Sequence, residues 1–155
     1  MRTALRTAWI WLGSFVIIVG SFPLLALVRL FDRDPVRRRT GRFFRRIGAL
    51  MTRLHPGWSF EVTGYEVENP ERPYILVSNH QSFADIPFIS RLPWEMKWMA
   101  KSELFQIPVA GWMMRMAGDI PIKRGSLSSS RRALERAAWY LELDCTVMIF
   151  PEGTR

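Results

Sequence analysis

Tyr74-Ile-Leu-Val-Ser-Asn-His-Gln-Ser-Phe-Ala-Asp85 is the stretch on which the reading of this chain turns. Its first four residues form an apolar, β-prone run, so the polar groups that follow emerge where a strand ends. Beyond residue 57 similar short runs alternate with helical patterns. The strands are expected at residues 58–62, 74–78, 97–100, 120–123 and 146–150, and the helices at 85–91, 109–117 and 128–143. The last helix carries a serine cap region and an arginine-rich outer face. Such alternation predicts an α/β layered domain rather than an all-helical or all-β one.

The first third of the chain differs in kind. Residues 8–28 read AWIWLGSFVIIVGSFPLLALV without a charge. At about 1.5 Å per residue this is long enough to cross a hydrocarbon core of about 30 Å. A cleaved signal peptide would be shorter and end in small residues, whereas Arg29 and Leu30-Phe31 follow directly here. Pro23 either kinks the span or divides it into a re-entrant or interfacial hairpin. Eight arginines from Arg29 to Arg46 follow the segment, against Arg2 and Arg6 before it, so a spanning helix would put its carboxyl side in the cytoplasm. Residues 36–54 then place Val36, Phe43, Phe44, Ile47, Leu50, Met51 and Leu54 at helical spacing among arginines. That helix suits either a headgroup layer, with its apolar face in the interface, or a berth on the domain. His55-Pro56-Gly57 breaks it, which divides the chain into a membrane-associated segment, 1–56, and a catalytic domain, 57–155.

The 22 Lys+Arg against 14 Asp+Glu give a net charge of +8, which favours a polyanionic partner: nucleic acid, anionic lipid or a phosphorylated substrate. The adjacent apolar span, and the lack of zinc-finger spacing, RNA-binding aromatics or a phosphate loop, argue against nucleic acid. The single Cys145 excludes an internal disulfide and a cysteine-based zinc site, and no metal or redox cofactor is implied.

Within the deciding stretch, a loop entering a helix can bring Asp85 back to His80. The carboxylate would hold one ring N–H and leave the other nitrogen to accept a proton. No G-x-S-x-G elbow supplies a serine, so the nucleophile belongs to a substrate. Asn79 and Ser82 are placed to shape the loop.

Asn79-His-Gln-Ser-Phe-Ala-Asp85 resembles the N-H-x-S-x-x-D block of the glycerolipid (1-acylglycerol-3-phosphate or lysophospholipid) acyltransferases. Further blocks follow in order. Lys101-Ser-Glu-Leu104 leads to Gly118-Asp-Ile-Pro-Ile-Lys-Arg-Gly125, similar to the family's G-x-x-x-I-x-R-G, and Phe150-Pro-Glu-Gly-Thr-Arg155 matches F-P-E-G-T-R. The resemblance covers about residues 57–155. It implies an α/β acyltransferase fold with His80 and Asp85 as a general-base dyad. An acyl group would pass from an acyl-CoA or acyl-carrier-protein thioester to the sn-2 hydroxyl of lysophosphatidic acid, forming phosphatidic acid. It also implies phosphate binding by Arg124, then Arg155 and Lys123, and acceptor binding by Glu152 and Gly153. Another lysolipid, such as a lyso-ornithine lipid, is the alternative acceptor, and a basic membrane-bound scaffold is the non-enzymatic one. Because the family fold continues past this block, the chain is expected to be the amino-terminal part of a longer domain, with little turnover by itself.

Overall fold

The computed structural model describes residues 2–55, 57–64, 69 and 72–152. Among these, four parallel strands, β1 (Ile75–Val77), β2 (Met96–Lys101), β3 (Ile120–Ile122) and β4 (Thr146–Ile149), form one sheet in the order β1-β4-β2-β3. The last strand in sequence therefore lies between the first two. Parallel neighbours need crossovers, and helices supply them. With α1 and α2 at the amino end, these are α3 (Asp85–Ile89), α4 (Ala110–Ala117) and α5 (Leu127–Glu142).

Strand alternation gives the sheet two working faces. Val147 packs with Ala133 and Tyr140 of α5, while Met148 packs with Met96, Trp98 and the α3 residues Ile86 and Ile89. Ile75 and Val77 pair in register with Val147 and Ile149, on the α5 face, yet stay 58% and 60% exposed because α5 covers β3 and β4 but not β1. Each strand agrees with the expected run to within two residues, apart from residues 58–62, which form no strand. Their alternation serves side packing instead: Trp58 and Phe60 lie against Phe88 of α3. Ser126 caps α5 by accepting the Ser129 N–H. Gly118 ends α4 at φ +85, a left-handed position that favours glycine.

The apolar segment is one helix, α1 (Arg2–Phe31), running through Pro23 without a break in its assignment. By length and composition it is able to cross a membrane. It does not stand apart from the domain. Trp9 Nε1 donates to the Leu54 carbonyl, and Ile17, Ile18, Phe22 and Leu25 pack with Phe43, Phe44, Ile47 and Met51. Those last four belong to the basic helix α2 (Arg38–Met51), which continues as a 3₁₀ turn, Thr52–Leu54. The apolar face of α2 is thus covered by α1 and by Met113 of α4, not offered to a headgroup layer. The two helices form an antiparallel pair. Packing also crosses residue 56: α2 lies on α3 and α4, and Val36 belongs to the same core as Ile120 and Tyr140.

Buried charges fix that berth. Arg45 of α2 pairs with Asp119, the residue before β3, and the same carboxylate oxygen accepts the Trp98 N–H at 3.0 Å. Lys97, wholly buried, donates to Glu95 Oε1 at 2.5 Å, the Ala117 carbonyl at 3.0 Å and the Arg37 carbonyl at 3.3 Å. Asp32 ties the α1–α2 turn by accepting both the N–H and the hydroxyl of Thr40.

Candidate active site

Because all four strands are parallel, their carboxyl ends share one edge of the sheet, where ligands of open α/β sheets bind. The sequence blocks all fall there. Ser78-Asn-His80 follows β1, Lys101-Ser102 closes β2, Lys123-Arg-Gly125 follows β3 and Phe150-Pro-Glu152 follows β4. The inserted β4 makes the strand bearing His80 the immediate neighbour of the strand bearing Glu152.

His80 Nδ1 lies 2.9 Å from Asp85 Oδ2, and both side chains are about one-quarter exposed (26% and 24%). Asp85 opens α3, where a carboxylate is favoured by the helix dipole, but it turns back toward the loop. The same oxygen accepts the backbone N–H groups of Gln81 and Ser82, each at 2.8 Å. Ser82 Oγ accepts the Ala84 N–H at 3.2 Å, closing the turn from the other side. Burial pushes the Asp85 carboxyl up, but the Ser82 N–H, the His80 ring and the Gln81 N–H together outweigh it and hold the group below its ordinary value. The carboxylate is thereby fixed as an acceptor. It selects the His80 tautomer with the proton on Nδ1, and among the described residues Nε2 has no hydrogen-bond partner.

The imidazole is held on its face as well as its edge. Phe150 stacks on it with centroids 4.3 Å apart and planes at 24°. Trp98 presents a steep 61° contact to Phe150 at 5.6 Å. Glu152 Oε2 stands 3.5 Å from the His80 N–H, so its carboxylate reaches over the loop.

These features place one proton acceptor, a fixed carboxylate behind it and a second carboxylate beside it on an open edge. The family profile described as acyltransferase matches residues 59–155. The chain belongs to this acyltransferase family. Its relatives include the chloroplast 1-acyl-sn-glycerol-3-phosphate acyltransferase of Arabidopsis thaliana, 36% identical over 79% of this chain and 34% of that protein. The lyso-ornithine lipid O-acyltransferase of Pseudomonas aeruginosa is 34% identical over 99% of this chain and 57% of its own length. The crystal structure of the 1-acyl-sn-glycerophosphate acyltransferase PlsC from Thermotoga maritima superposes with a TM-score of 0.77 at 28% identity, covering 99% of this chain and 62% of that one. The chain thus spans roughly a third to three-fifths of the length of these relatives.

For an acyltransferase, the remaining expected residues divide by position. Lys123 and Arg124 are exposed in the turn after β3, which Gly125 completes at φ +74. Three strand spacings of about 4.8 Å put that turn on the order of 14 Å across the edge from the end of β1. Asn79 is exposed beside His80. Gly153 and Arg155 lie outside the described residues. Among the aromatic and methionine residues near these strands, Trp98, Phe105 and Met113 are core residues, and Trp112 is half exposed.

Sequence reasoning missed two neighbours of the dyad. Phe150 stands in the sequence only as the first residue of a motif and Trp98 only within the expected strand 97–100, yet together they carry the ring of His80. The alternation of Met148 and Phe150 on one side of β4 was the available signal.

Proposed function

We propose that this chain carries the reaction centre of a lysolipid acyltransferase, in which His80 is the general base and Asp85 its orienting carboxylate. One observation carries the reading: Nδ1 of His80 is bound to a carboxylate already fixed by two backbone N–H groups, at the edge where the Phe150–Glu152 block also arrives. In the reaction, Nε2 takes the proton of the acceptor's glycerol hydroxyl as that oxygen attacks the thioester carbonyl carbon. The tetrahedral intermediate collapses with cleavage of the C–S bond. The departing thiolate takes the proton back from the imidazolium, and no acyl-enzyme forms. Asp85 stabilises the imidazolium between the two steps.

The acceptor is lysophosphatidic acid, attacked at its sn-2 oxygen to give phosphatidic acid. Arg124, with Arg155 and Lys123, takes the phosphate, where a guanidinium offers two parallel donors. Glu152 accepts from the glycerol hydroxyls, and Gly153 allows close backbone approach. The donor is an acyl thioester of CoA or acyl carrier protein. A lyso-ornithine acceptor is the second reading, favoured by the similarity that extends over 99% of the chain to an enzyme named for that substrate.

The chain associates with the membrane through α1, which we place in the interface rather than across the bilayer. From Trp9 to Leu25, about 24 Å of helix, α1 lies along α2. A spanning α1 would carry Arg39, Arg42 and Arg46 of α2 into hydrocarbon, at about 2.5–3.5 kcal/mol for each arginine at the bilayer centre. Lying flat, the exposed Leu12, Phe15, Val16 and Val19 enter the acyl layer, and the exposed α2 arginines meet anionic headgroups on the cytoplasmic side.

In the full-length protein, His80→Ala and Asp85→Asn should lower turnover by about 10²–10⁴-fold while binding to vesicles is kept. Product formation from labelled thioester, measured beside a melting curve, decides this, and near-parent turnover in folded His80→Ala would reject the base assignment. Arg124→Ala should raise the apparent KM for lysophosphatidic acid and leave the thioester KM in place. Run against an acceptor without phosphate, the same variant separates the two acceptor readings. An effect on the lyso-ornithine lipid equal to that on lysophosphatidic acid would remove Arg124 from the phosphate role.

A further inference from the structure

Of the five arginines of α2, Arg38 is partly buried and paired with Asp34 at the start of the helix, and the other four divide by exposure. Arg39, Arg42 and Arg46 are exposed, whereas Arg45 is buried, 8% exposed at its side chain, and paired with the fully buried carboxylate of Asp119. Its guanidinium carbon also lies over two aromatic rings, 5.0 Å from the centroids of both Phe44 and Trp98. From Trp98 the contacts continue to Phe150 and from Phe150 to His80. Four side chains from α2, β2, the end of β4 and the loop after β1 thus form one column, with a cation at its base and the imidazole at its top.

We propose that Arg45 is a positioning residue for His80, acting through the Trp98–Phe150 rings. The proposal rests on His80 being the general base. The geometry gives Arg45 two holds on Trp98. It pairs with the carboxylate oxygen that accepts the Trp98 N–H, fixing the backbone of β2, and it covers the indole face, an attraction that strengthens on removal from water. Trp98 then limits the tilt of Phe150, and Phe150 limits rotation of the imidazole away from Asp85. Edge hydrogen bonding at Nδ1 alone leaves the ring free to rock about that bond; the stacked face removes the freedom. The column also ties the α1–α2 helix pair to the reacting nitrogen, because α2 supplies Arg45.

This differs from a merely structural ion pair in what it predicts. Removing Arg45 should reduce kcat by roughly ten- to a hundred-fold, the scale of a small misplacement of a reacting group, with little change in either KM. Arg45→Lys keeps a charge for Asp119 but loses the flat guanidinium, so it should recover stability more fully than kcat. Because an unpaired buried carboxylate threatens folding, the decisive variant is Arg45→Met with Asp119→Asn, which keeps an oxygen for the Trp98 N–H.

The test pairs turnover in detergent micelles with ¹⁵N spectra of imidazole-labelled protein. The chain has two histidines, so His55→Gln assigns the signals. The parent should show His80 as a single Nδ1–H tautomer. The folded double variant should show mixed or broadened tautomers together with the fall in kcat. A parent-like His80 spectrum in that variant would overturn the proposal, as would a loss of rate expressed wholly in KM. Survival of turnover in His80→Ala would dispose of the base assignment instead, leaving the imidazole spectrum to decide the column by itself.

Discussion

Asp85 shows how much can be settled within one side chain. Its carboxyl is held below its ordinary value in the folded protein, although burial alone would raise it, because two N–H groups and the imidazole converge on one oxygen. A depressed carboxylate stabilises the fold fully above its unfolded value, and the contribution is lost as pH falls through the lower folded value. The difference in denaturation midpoint between the parent and Asp85→Asn should therefore be constant from pH 7 to about pH 5 and shrink on further acidification. A difference that grows on acidification would contradict the hydrogen-bonding pattern described for the loop. Spacing already pointed to the His80–Asp85 contact, since a loop entering a helix returns its first residues to the strand end. The stacked face of the imidazole was not legible, because Trp98 and Phe150 are 52 positions apart and meet His80 only once β4 lies beside β1.

At the scale of elements, the four strands that were recognised share an apolar run bounded by turn residues, and burial on one or both faces enforces that pattern. Residues 58–62 carry the same alternation but lack a partner strand, and their aromatic rings pack sideways on Phe88. For α2 the periodicity was legible, while its surroundings stayed open between a headgroup layer and a berth on the domain. An apolar stripe on a basic helix fits a lipid interface or a protein groove equally well, and only tertiary packing separates them. The packing leaves a sharp test at Gly41. A Cβ there would stand 1.9 Å from Glu95 Oε1 and 2.7 Å from Lys97 Nζ, both buried and bound to each other. Gly41→Ala should destabilise by roughly 1–3 kcal/mol, against the gain of about 1 kcal/mol expected from helix propensity. Gly20 on α1 has nothing within 4 Å of its Cβ position, so Gly20→Ala isolates the propensity effect. Equal melting temperatures for the two variants would show that α2 has room to move off the sheet.

For the molecule as a whole, the α1–α2 pair decides how the protein meets a bilayer. Labels at Thr7→Cys and Leu30→Cys, near the two ends of α1, should both react with an impermeant maleimide from the same side of sealed vesicles. Cys145 stays silent in that assay, being buried with its thiol pushed up to about 11. Labelling of one end only would mean a crossing helix. Phe15→Asp on the outward face should weaken flotation with vesicles and spare turnover in micelles, whereas Leu25→Asp would place a charge in a closed core.

The strand order sets a different problem, one of time rather than position. A ribosome delivers β1 some seventy residues before β4, and β1 has no other partner among the described strands. While β2 and β3 pair early, the histidine-bearing strand waits as an unpaired apolar segment beside a water-averse helix that was made first. The nascent chain leaves that segment without its sheet partner until residue 149 clears the exit tunnel. The stacking of Phe150 on His80 does not exist as a geometry before β4 lies beside β1.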